Sequence, residues 1–566
     1  MMARMGRLPH LALLAALGGG VFVAGLELMI TATALPSIVV SLADWTRLRE
    51  ASWIVNAYLV AYVAMMPLAG RLADRFGVVT PYMISLVVFA AGSALSGAAQ
   101  SLEALIAARV LQGLGGGALV PLATSGASHL FDGRARGRAL GLIGALTFLG
   151  MAAGPFAGAA ILGVGDMRPA LQASGLPDWL VSITTPAWRW VFYLDVPAAL
   201  LALVYVWAAS PAWDAPRTRT PLRAATLGVF TTGLAGSLLA LTWAGDAQAP
   251  GGVAGQLALA AASIGALVLS VAIGAVSHDP LLDPRRYVEP VLGGAVAVSA
   301  MTGYALATAL IGGAVFVDRV LYGGPPDERV ALGALAGAMA VGALVSGLVM
   351  ARVGIVRTSL AGLLVSAAGL GALGLTTRFT PLAELAALLG IFGLGFGLTV
   401  SPRSMAAVES AGRAAFGVAS GAVTVARMLG MAVGLAVLTA FGSGKIEALS
   451  RAVQDQAYRD SVLPAALRGR PLADGLVVDA LERWAAGQGA AILDGLFLAA
   501  GAITLVAVLP AMAMRARRRP PVAIASTGRS EPRGSERAGA QAETTGRPTA
   551  NGGSQGGGDV RTSGTA

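Results

Sequence analysis

Glu27 is the side chain whose chemistry fits its surroundings least. It lies within an apolar segment, residues 11–35, that is long enough to cross a membrane. An ionised carboxylate inside hydrocarbon is costly unless it is paired or hydrated. Burial favours the neutral acid and a neighbouring cation favours the carboxylate, so a site that alternates between these environments can take up and release a proton. Glu27 is therefore our candidate for proton coupling, and the alternative is a static ion pair between helices.

Two arginines in other apolar segments are candidate partners for Glu27. Arg109 lies in the predicted fourth span and Arg427 in the predicted thirteenth. Arginine keeps its charge at biological pH, so either one could neutralise the carboxylate. A pair with Arg427 would join the two halves of the chain and change as they move, whereas a pair with Arg109 would stay within one half. The sequence leaves this choice open, and we expect Glu27 to be the one carboxylate well inside a span.

Other chemistries find no support in the sequence. The chain has no cysteine, and its three histidines, His10, His129 and His278, lie at or beyond predicted helix ends. Lys445 lacks the flanking glycine and hydroxyl residues of a phosphate-binding loop. We therefore expect no catalytic residue, no metal site, no cofactor and no nucleotide-driven pump.

The composition indicates that these charges are positioned by membrane helices. Of 566 residues, 56% are hydrophobic, 12% are charged and 76 are glycine. Apolar stretches of roughly 20 residues, the length of one helical span, recur about fourteen times. High glycine with few aromatic residues favours closely packed helices over a β-barrel. The predicted fold class is an all-α polytopic membrane protein.

The arginines predict the orientation of the chain. The net charge is +10, and most arginines fall in short loops on one predicted side of the membrane. This arrangement accounts for the positive charge without a nucleic-acid partner. This face carries Arg71, Arg75, Arg134, Arg136, Arg138, Arg217, Arg219, Arg223, Arg285, Arg286, Arg352 and Arg357. By the positive-inside rule it is cytoplasmic, and an even number of spans places both termini there. We expect a multi-pass protein of the cytoplasmic membrane.

The loop after the second span has a distinctive sequence, Gly70-Arg71-Leu72-Ala73-Asp74-Arg75-Phe76-Gly77. Its charges cannot sit in hydrocarbon, whereas the apolar runs on either side are long enough to cross it. The chain is predicted to turn here at the cytoplasmic face. Gly70, Asp74, Arg75 and Gly77 are candidates for a gating loop, and a plain solvated loop is the alternative.

Three sequence echoes indicate an internal duplication. The segment 149–154 (LGMAAG) reappears at 429–434 (LGMAVG), 113–117 (GLGGG) resembles 393–397 (GLGFG), and Gly70, Arg75 and Gly77 are echoed by Gly347, Arg352 and Gly354. Duplicated helical halves are typical of secondary transporters, which expose a midplane site alternately to each side. The echoes leave the seventh and eighth spans unmatched.

These boundaries define the predicted organisation of the chain. We expect a cytoplasmic N-terminus (residues 1–10), a six-helix bundle (11–208), two inserted spans with linkers (209–288), a second six-helix bundle (289–514) and a basic, disordered tail (515–566). The second bundle contains a long extracytoplasmic connection, residues 442–489. Helical spacing of its apolar residues leaves two alternatives, namely projecting helices or a partly helical loop.

The chain resembles the major facilitator superfamily, and within it the fourteen-span drug:proton antiporters. The resemblance covers most of residues 11–514 and rests on the loop 70–77 with its preceding segment 53–58 (WIVNAY), on Arg109 with Gln112, Gly113 and Gly115, and on segment 188–193 (WRWVFY). The set Gly150, Gly154, Pro155 and Gly158 is similar to the antiporter motif of exporters. The resemblance implies two rocking bundles, with the proton gradient as energy source.

A narrower resemblance, to mycobacterial lipid exporters, rests on segment 426–431 (ARMLGM) and the long loop before the last span. It implies a lipid cargo and an extracytoplasmic lipid carrier as a partner. For the loop motif, the resemblance to the superfamily implies that Asp74 and Arg75 form a cytoplasmic latch, in which Asp74 caps a neighbouring helix end or pairs with an arginine. For the antiporter motif it implies a close helix contact and a local bend that seal one face of the pathway, and plain tight packing would use the same residues.

The sequence thus predicts a monomeric, proton-coupled secondary exporter that moves small hydrophobic or amphipathic molecules, drugs or lipids, out through the cytoplasmic membrane. A cationic drug cargo would call for a second acid in the cavity, whereas a lipid cargo would suit an apolar cavity. The alternative is a membrane scaffold or sensor that keeps a transporter fold without transport.

Overall fold

The structure is a computed structural model that describes residues 8–42, 48–165, 167–210, 215, 217, 223–243, 250–279, 281–471 and 474–515. Most of the predicted N-terminal segment 1–10 and nearly all of the predicted tail 515–566 lie outside these residues. The prediction of a disordered tail therefore stays a prediction.

Fourteen helices of the described chain are long and apolar enough to cross a membrane, which confirms the predicted fold class. We number them α1 to α14. The first six are Leu8–Leu42, Trp53–Phe76, Val79–Ala98, Leu102–Leu130, Gly133–Leu162 and Arg189–Ala209. The next two are Ala224–Thr242 and Gly252–Ser277. The last six are Pro290–Val320, Pro325–Val353, Ile355–Leu373, Leu382–Ala411, Phe416–Gln454 and Gly475–Ala513.

Two glycines make equivalent turns in the two halves. Gly77 ends α2 with φ of 84°, and Gly354 ends α10 with φ of 89°. Glycine adopts positive φ without the steric penalty of a side chain, so the chain can reverse within a few residues. The predicted turn after the second span and its echo after the tenth are therefore the same local structure.

Helix packing repeats in the same way. Helix α4 packs between α2 and α3, and α12 packs between α10 and α11. Helix α1 packs along α5, and α9 packs along α13. Glycines of the echoed segments lie at these helix crossings. A methyl group added at Gly115 would collide with the backbone of Phe89, and one added at Gly395 would collide with the backbone of Ser366. The duplicated residues thus mark equivalent contacts in two six-helix halves, α1–α6 and α9–α14.

The two inserted helices, α7 and α8, pack on each other. Helix α7 also contacts α2 of the first half and α13 of the second, where Leu234 and Leu238 join a buried cluster with Tyr58 and Tyr62. The inserted pair therefore covers a seam between the halves.

Helices occupy much of the predicted long connection 442–489. Helix α13 continues to Gln454 and α14 begins at Gly475, with a short helix, Gln456–Val462, between them. Asp455 and Asp474 cap the next helices by accepting from the Ala457 amide at 2.8 Å and the Leu476 amide at 2.9 Å. The last two membrane helices thus extend well beyond the length that one span requires.

Candidate functional site

Glu27 is completely buried in α1. Its Oε1 atom accepts hydrogen bonds from the Thr31 hydroxyl at 2.6 Å and from Nη1 of Arg109. Thr31 is one helical turn from Glu27, so both lie on the same face of α1. The predicted buried carboxylate is therefore an ion pair in the interior of the first half.

Arg109 is held on α4 from several directions. Its Nε donates to the Ile54 carbonyl at 3.0 Å, its Nη1 donates to the side chain of Gln112 at 2.5 Å, and its guanidinium lies 4.2 Å from the centre of the Tyr58 ring. These contacts fix the charge next to Glu27. Glu27 and Arg109 belong to the same half, so the structure selects Arg109 over Arg427 as its partner.

A second buried acid, Asp195, completes the cluster, and the sequence analysis did not identify it. Asp195 lies in α6 with no exposed surface. Its carboxyl group is within hydrogen-bonding reach of the Glu27 carboxyl, and its Oδ2 accepts from Nε2 of Gln112 at 3.3 Å. The same Gln112 nitrogen donates to Ser93 at 2.7 Å. The signal was present, because Asp195 interrupts the apolar run 191–208.

The charges of this acid cluster, Glu27, Asp195 and Arg109, balance only if one proton is present. Two carboxylates and one guanidinium would leave a net negative charge in a buried site, and a shared proton removes it. Of the four carboxylate oxygens in this cluster, Glu27 Oε2 and Asp195 Oδ1 accept no hydrogen bond. A proton between the two acids would satisfy both the charge and the hydrogen bonding.

A pair of tyrosines leads from the acid cluster toward the second half. Tyr58 and Tyr62, one turn apart on α2, stack with ring centres 5.6 Å apart. Arg109 lies over the Tyr58 ring, and Tyr62 packs in one buried cluster with Val425 and Met428 of α13, which flank Arg427. The two predicted arginines therefore lie at opposite ends of one aromatic stack.

The antiporter-motif residues contact α1 next to Glu27. A methyl group on Gly154 would come within 2.8 Å of the Leu26 carbonyl oxygen and 2.9 Å of the Ile30 amide. Gly150 and Gly158 face α1 in the same way, so glycine allows α5 to lie directly against the helix that carries Glu27. Helix α5 continues through Pro155. The motif forms a tight helix contact at the acid cluster.

Asp74 joins the two halves at one membrane face. Its carboxylate oxygens accept from the backbone amides of Gly417, at 2.9 Å, and Val418, at 3.1 Å, in the first turn of α13. A carboxylate is stabilised there by the unpaired amides and by the helix dipole. Asp74 thus caps a helix end, one of the two arrangements considered from the sequence. We call this side the Asp74 face.

Further contacts close the Asp74 face. Gly70 lies directly against the Gly417 backbone, and Arg75, one residue beyond Asp74, is half-buried. Arg413 makes a two-oxygen ion pair with Asp132, at 2.8 and 2.9 Å, between the second half and the first. Arg71 pairs with Asp279, at 2.5 Å, in the connection that follows α8. The halves and the inserted helices are therefore tied together on this side.

Residues 17–435 of the chain match the sequence pattern of the Major Facilitator Superfamily. A triacylglyceride transporter of Mycolicibacterium hassiacum is 36% identical over 409 residues, which cover 69% of this chain and 71% of the relative. The multidrug transporter protein MdtP of Bacillus subtilis is 27% identical over 74% of this chain and 73% of its own length.

Solved structures show the same fold. A bacterial homologue of the human lysosomal transporter Spinster, inward-facing and occupied, superimposes with a TM-score of 0.55 at 15% identity, covering 89% of this chain and 98% of that one. The proton:xylose symporter XylE superimposes with a TM-score of 0.54 at 14% identity, covering 88% and 94%. With its duplicated six-helix halves and its buried ion pair, the chain is a membrane transporter that belongs to the major facilitator superfamily.

Proposed function

We propose that this transporter is a proton-coupled exporter of hydrophobic or amphipathic molecules, located in the cell membrane with both termini cytoplasmic. The observation that carries the proposal is the acid cluster of Glu27, Asp195 and Arg109. Burying two acids and one arginine costs folding free energy, which a protein without a transport function has no need to spend. The net charge of the cluster changes when one proton binds or leaves, so the site can take up and release a proton. A scaffold or sensor would need neither acid.

The cycle follows from alternating access. The halves are joined at the Asp74 face, so a cargo site between them would communicate with the opposite side in this arrangement. A proton shared by Glu27 and Asp195 neutralises the cluster in one state. Movement of α1 along the glycines of α5 would open the cluster to water in the other state and release that proton. The direction of the proton gradient then sets the direction of export.

The cargo and the partners belong to the same proposal. The named relatives include triacylglyceride transporters and a multidrug transporter, so both a lipid and a drug cargo fit the family. An extracytoplasmic lipid carrier that receives the cargo at the extended helices α13 and α14 is the proposed partner of a lipid exporter. The transporter would work as a monomer, because the acid cluster is complete within one chain.

The test is efflux from vesicles that hold the purified transporter, with and without a proton gradient. A fluorescent lipid probe and a cationic dye serve as alternative cargoes. We expect gradient-dependent movement of at least one cargo by the wild-type protein. Both Glu27→Gln and Asp195→Asn should transport without responding to the gradient, because each variant leaves one carboxylate for Arg109 and no proton to exchange.

The matched control is Glu384→Gln, which removes an exposed acid at the start of α12. It should respond to the gradient as the wild type does. Equal gradient dependence in all three variants would remove the acid cluster from the mechanism. Absence of transport of either cargo by the wild-type protein would favour the scaffold.

A further inference from the structure

A cavity of about 30 Å³ lies between the two halves. Both halves contribute polar side chains to its walls. The first half supplies two threonines, from α4 and α5, and the second half supplies two arginines and two hydroxyl residues, from α12 and α13. These residues are Thr124, Thr147, Arg403, Ser404, Thr424 and Arg427. The lining contains no acidic side chain. The three threonine hydroxyls donate to carbonyls of their own helices, so the two guanidinium groups make the cavity positive and supply most of its hydrogen-bond donors.

Arg403 is buried and Arg427 is partly buried, and both differ from the buried arginines Arg109 and Arg71. Arg109 and Arg71 each meet a carboxylate. Arg403 is 2% exposed, donates to the Thr302 hydroxyl at 2.7 Å and lies over the Phe396 ring. Arg427 has a buried Nε atom without a hydrogen-bond partner. Neither guanidinium is paired with a carboxylate among the described residues.

The two arginines also line the same small cavity, so their positive charges repel each other. Like charges in a medium of low dielectric constant raise the free energy of the folded state, and so does each buried charge without a counterion. The protein thus holds two positive charges next to which the described residues place no carboxylate. A bound anion would neutralise both charges.

We infer that this cavity binds the anionic head group of an amphipathic cargo, a carboxylate or a phosphate. The inference rests on the proposed export function and specifies its cargo. Guanidinium groups match the oxygens of both head groups in paired hydrogen bonds, and the Ser404 hydroxyl, which lines the same cavity, can donate a further one. The volume suits a head group alone, since about 30 Å³ is room for two or three water-sized groups.

The apolar part of the lining indicates that the bound molecule also carries a hydrocarbon chain. Ile143, Phe148, Val400 and Val423 form the remaining walls, so the first carbon atoms of a chain attached to the head group would meet apolar surface. A cationic dye would be repelled by the two arginines. A neutral glyceride would leave both of them unpaired. The geometry therefore selects fatty-acid-like or phosphate-bearing lipids over both alternatives.

The experiment measures binding to the full-length protein in nanodiscs of neutral lipid without a proton gradient. The probes are radiolabelled oleate, oleyl alcohol of the same chain length, and inorganic phosphate. We expect oleate to bind at least about tenfold more tightly than the alcohol, which is the effect of one charge-assisted interaction. Arg403→Met and Arg427→Met should each lose this preference. Arg357→Met, which removes an exposed arginine at the start of α11, is the matched control.

Thermal unfolding separates this role from a purely structural one. Removing an uncompensated buried charge should raise the melting temperature of the ligand-free protein, whereas removing a structural arginine would lower it. Oleate should raise the melting temperature of the wild type and have little effect on Arg427→Met. A lower melting temperature in both variants, together with unchanged oleate binding, would overturn the assignment.

The remaining outcomes are also decisive. Equal binding of oleate and oleyl alcohol would refute an anion site. Phosphate that binds as tightly as oleate would show a site for small anions and overturn the amphipathic cargo. Because these measurements need no gradient, a failure of proton coupling would appear in the vesicle assay and leave the binding result unchanged.

Discussion

The strongest test of the acid cluster is a double-mutant cycle on Glu27 and Asp195. In the wild type the two acids share one guanidinium, because Arg109 contacts Glu27 directly and reaches Asp195 through Gln112. Glu27→Gln leaves Asp195 to neutralise Arg109, and Asp195→Asn leaves Glu27. Only the double variant leaves Arg109 without a carboxylate partner.

The magnitudes follow from this arrangement. Each single substitution keeps an oxygen acceptor of the same size, and should lower the free energy of unfolding by about 1 kcal/mol. An unpaired buried charge is far more costly, so the double variant should lose about 4 kcal/mol. The coupling between the two sites is then about 2 kcal/mol beyond the sum of the single effects.

Unfolding with SDS in mixed micelles, followed by tryptophan fluorescence, measures these free energies. Asp318→Asn serves as the control, because its carboxylate and its Arg319 partner are exposed and the pair should contribute less than about 1 kcal/mol. Its effect should add to that of either cluster variant.

Additive effects of Glu27→Gln and Asp195→Asn would refute the reasoning. They would mean that the acids do not share Arg109 and that no single proton balances the site. A large loss in Asp195→Asn alone would also contradict it, since Glu27 remains available to Arg109 in that variant.

Three further predictions concern helix contacts. Gly154→Ala should lower the free energy of unfolding by about 1 to 3 kcal/mol, because the added methyl group meets the α1 backbone within 2.9 Å. Gly371→Ala is the control: its methyl group enters open space, and the substitution should stabilise the protein by up to about 1 kcal/mol. Asp74→Asn should weaken closure of the Asp74 face by about 1 kcal/mol, roughly fivefold in population. The measurement is faster labelling of a cysteine introduced at position 124 of this cysteine-free chain by a membrane-impermeant reagent supplied only from the Asp74 face. Arg413→Gln removes a pair that is 64% and 69% exposed, and should change the same labelling rate less than Asp74→Asn does.

Each of these predictions has an outcome that contradicts it. Equal effects of alanine at the two glycines would show that α1 and α5 are not in close contact. Labelling that is unchanged in Asp74→Asn would mean that the helix cap does not hold the halves together. A larger effect of Arg413→Gln than of Asp74→Asn would place the closure in the exposed ion pair.

The number of spans and the turns between them could be predicted from local properties. A run of about twenty apolar residues forms a helix in a membrane whatever its neighbours are, because its backbone polar groups must be satisfied within the segment. Charged residues such as Asp74 and Arg75 end such runs for the same reason. The sequence left projecting helices and a partly helical loop open for residues 442–489, because hydrophobicity does not set how far a helix such as α13 projects beyond the membrane.

The cluster around Glu27 could be predicted only in part. Glu27 and Arg109 were identifiable because a charge in an apolar run is conspicuous. Asp195 was missed because it lies near the start of its span, where an acid can equally well face water. Its burial depends on how α6 is rotated against α1 and α4, which no local pattern of residues encodes.

The sequence by itself determined that this chain is a duplicated helical membrane protein with acids and arginines inside it, since apolar length, charge and repeated glycines are properties of the chain. Tertiary structure alone decided which charges meet. It placed Arg109 beside both acids and left Arg403 and Arg427 facing a cavity without a counterion. The reason is that electrostatic interactions depend on distance and burial, and both are set by the packing of helices that are far apart in sequence.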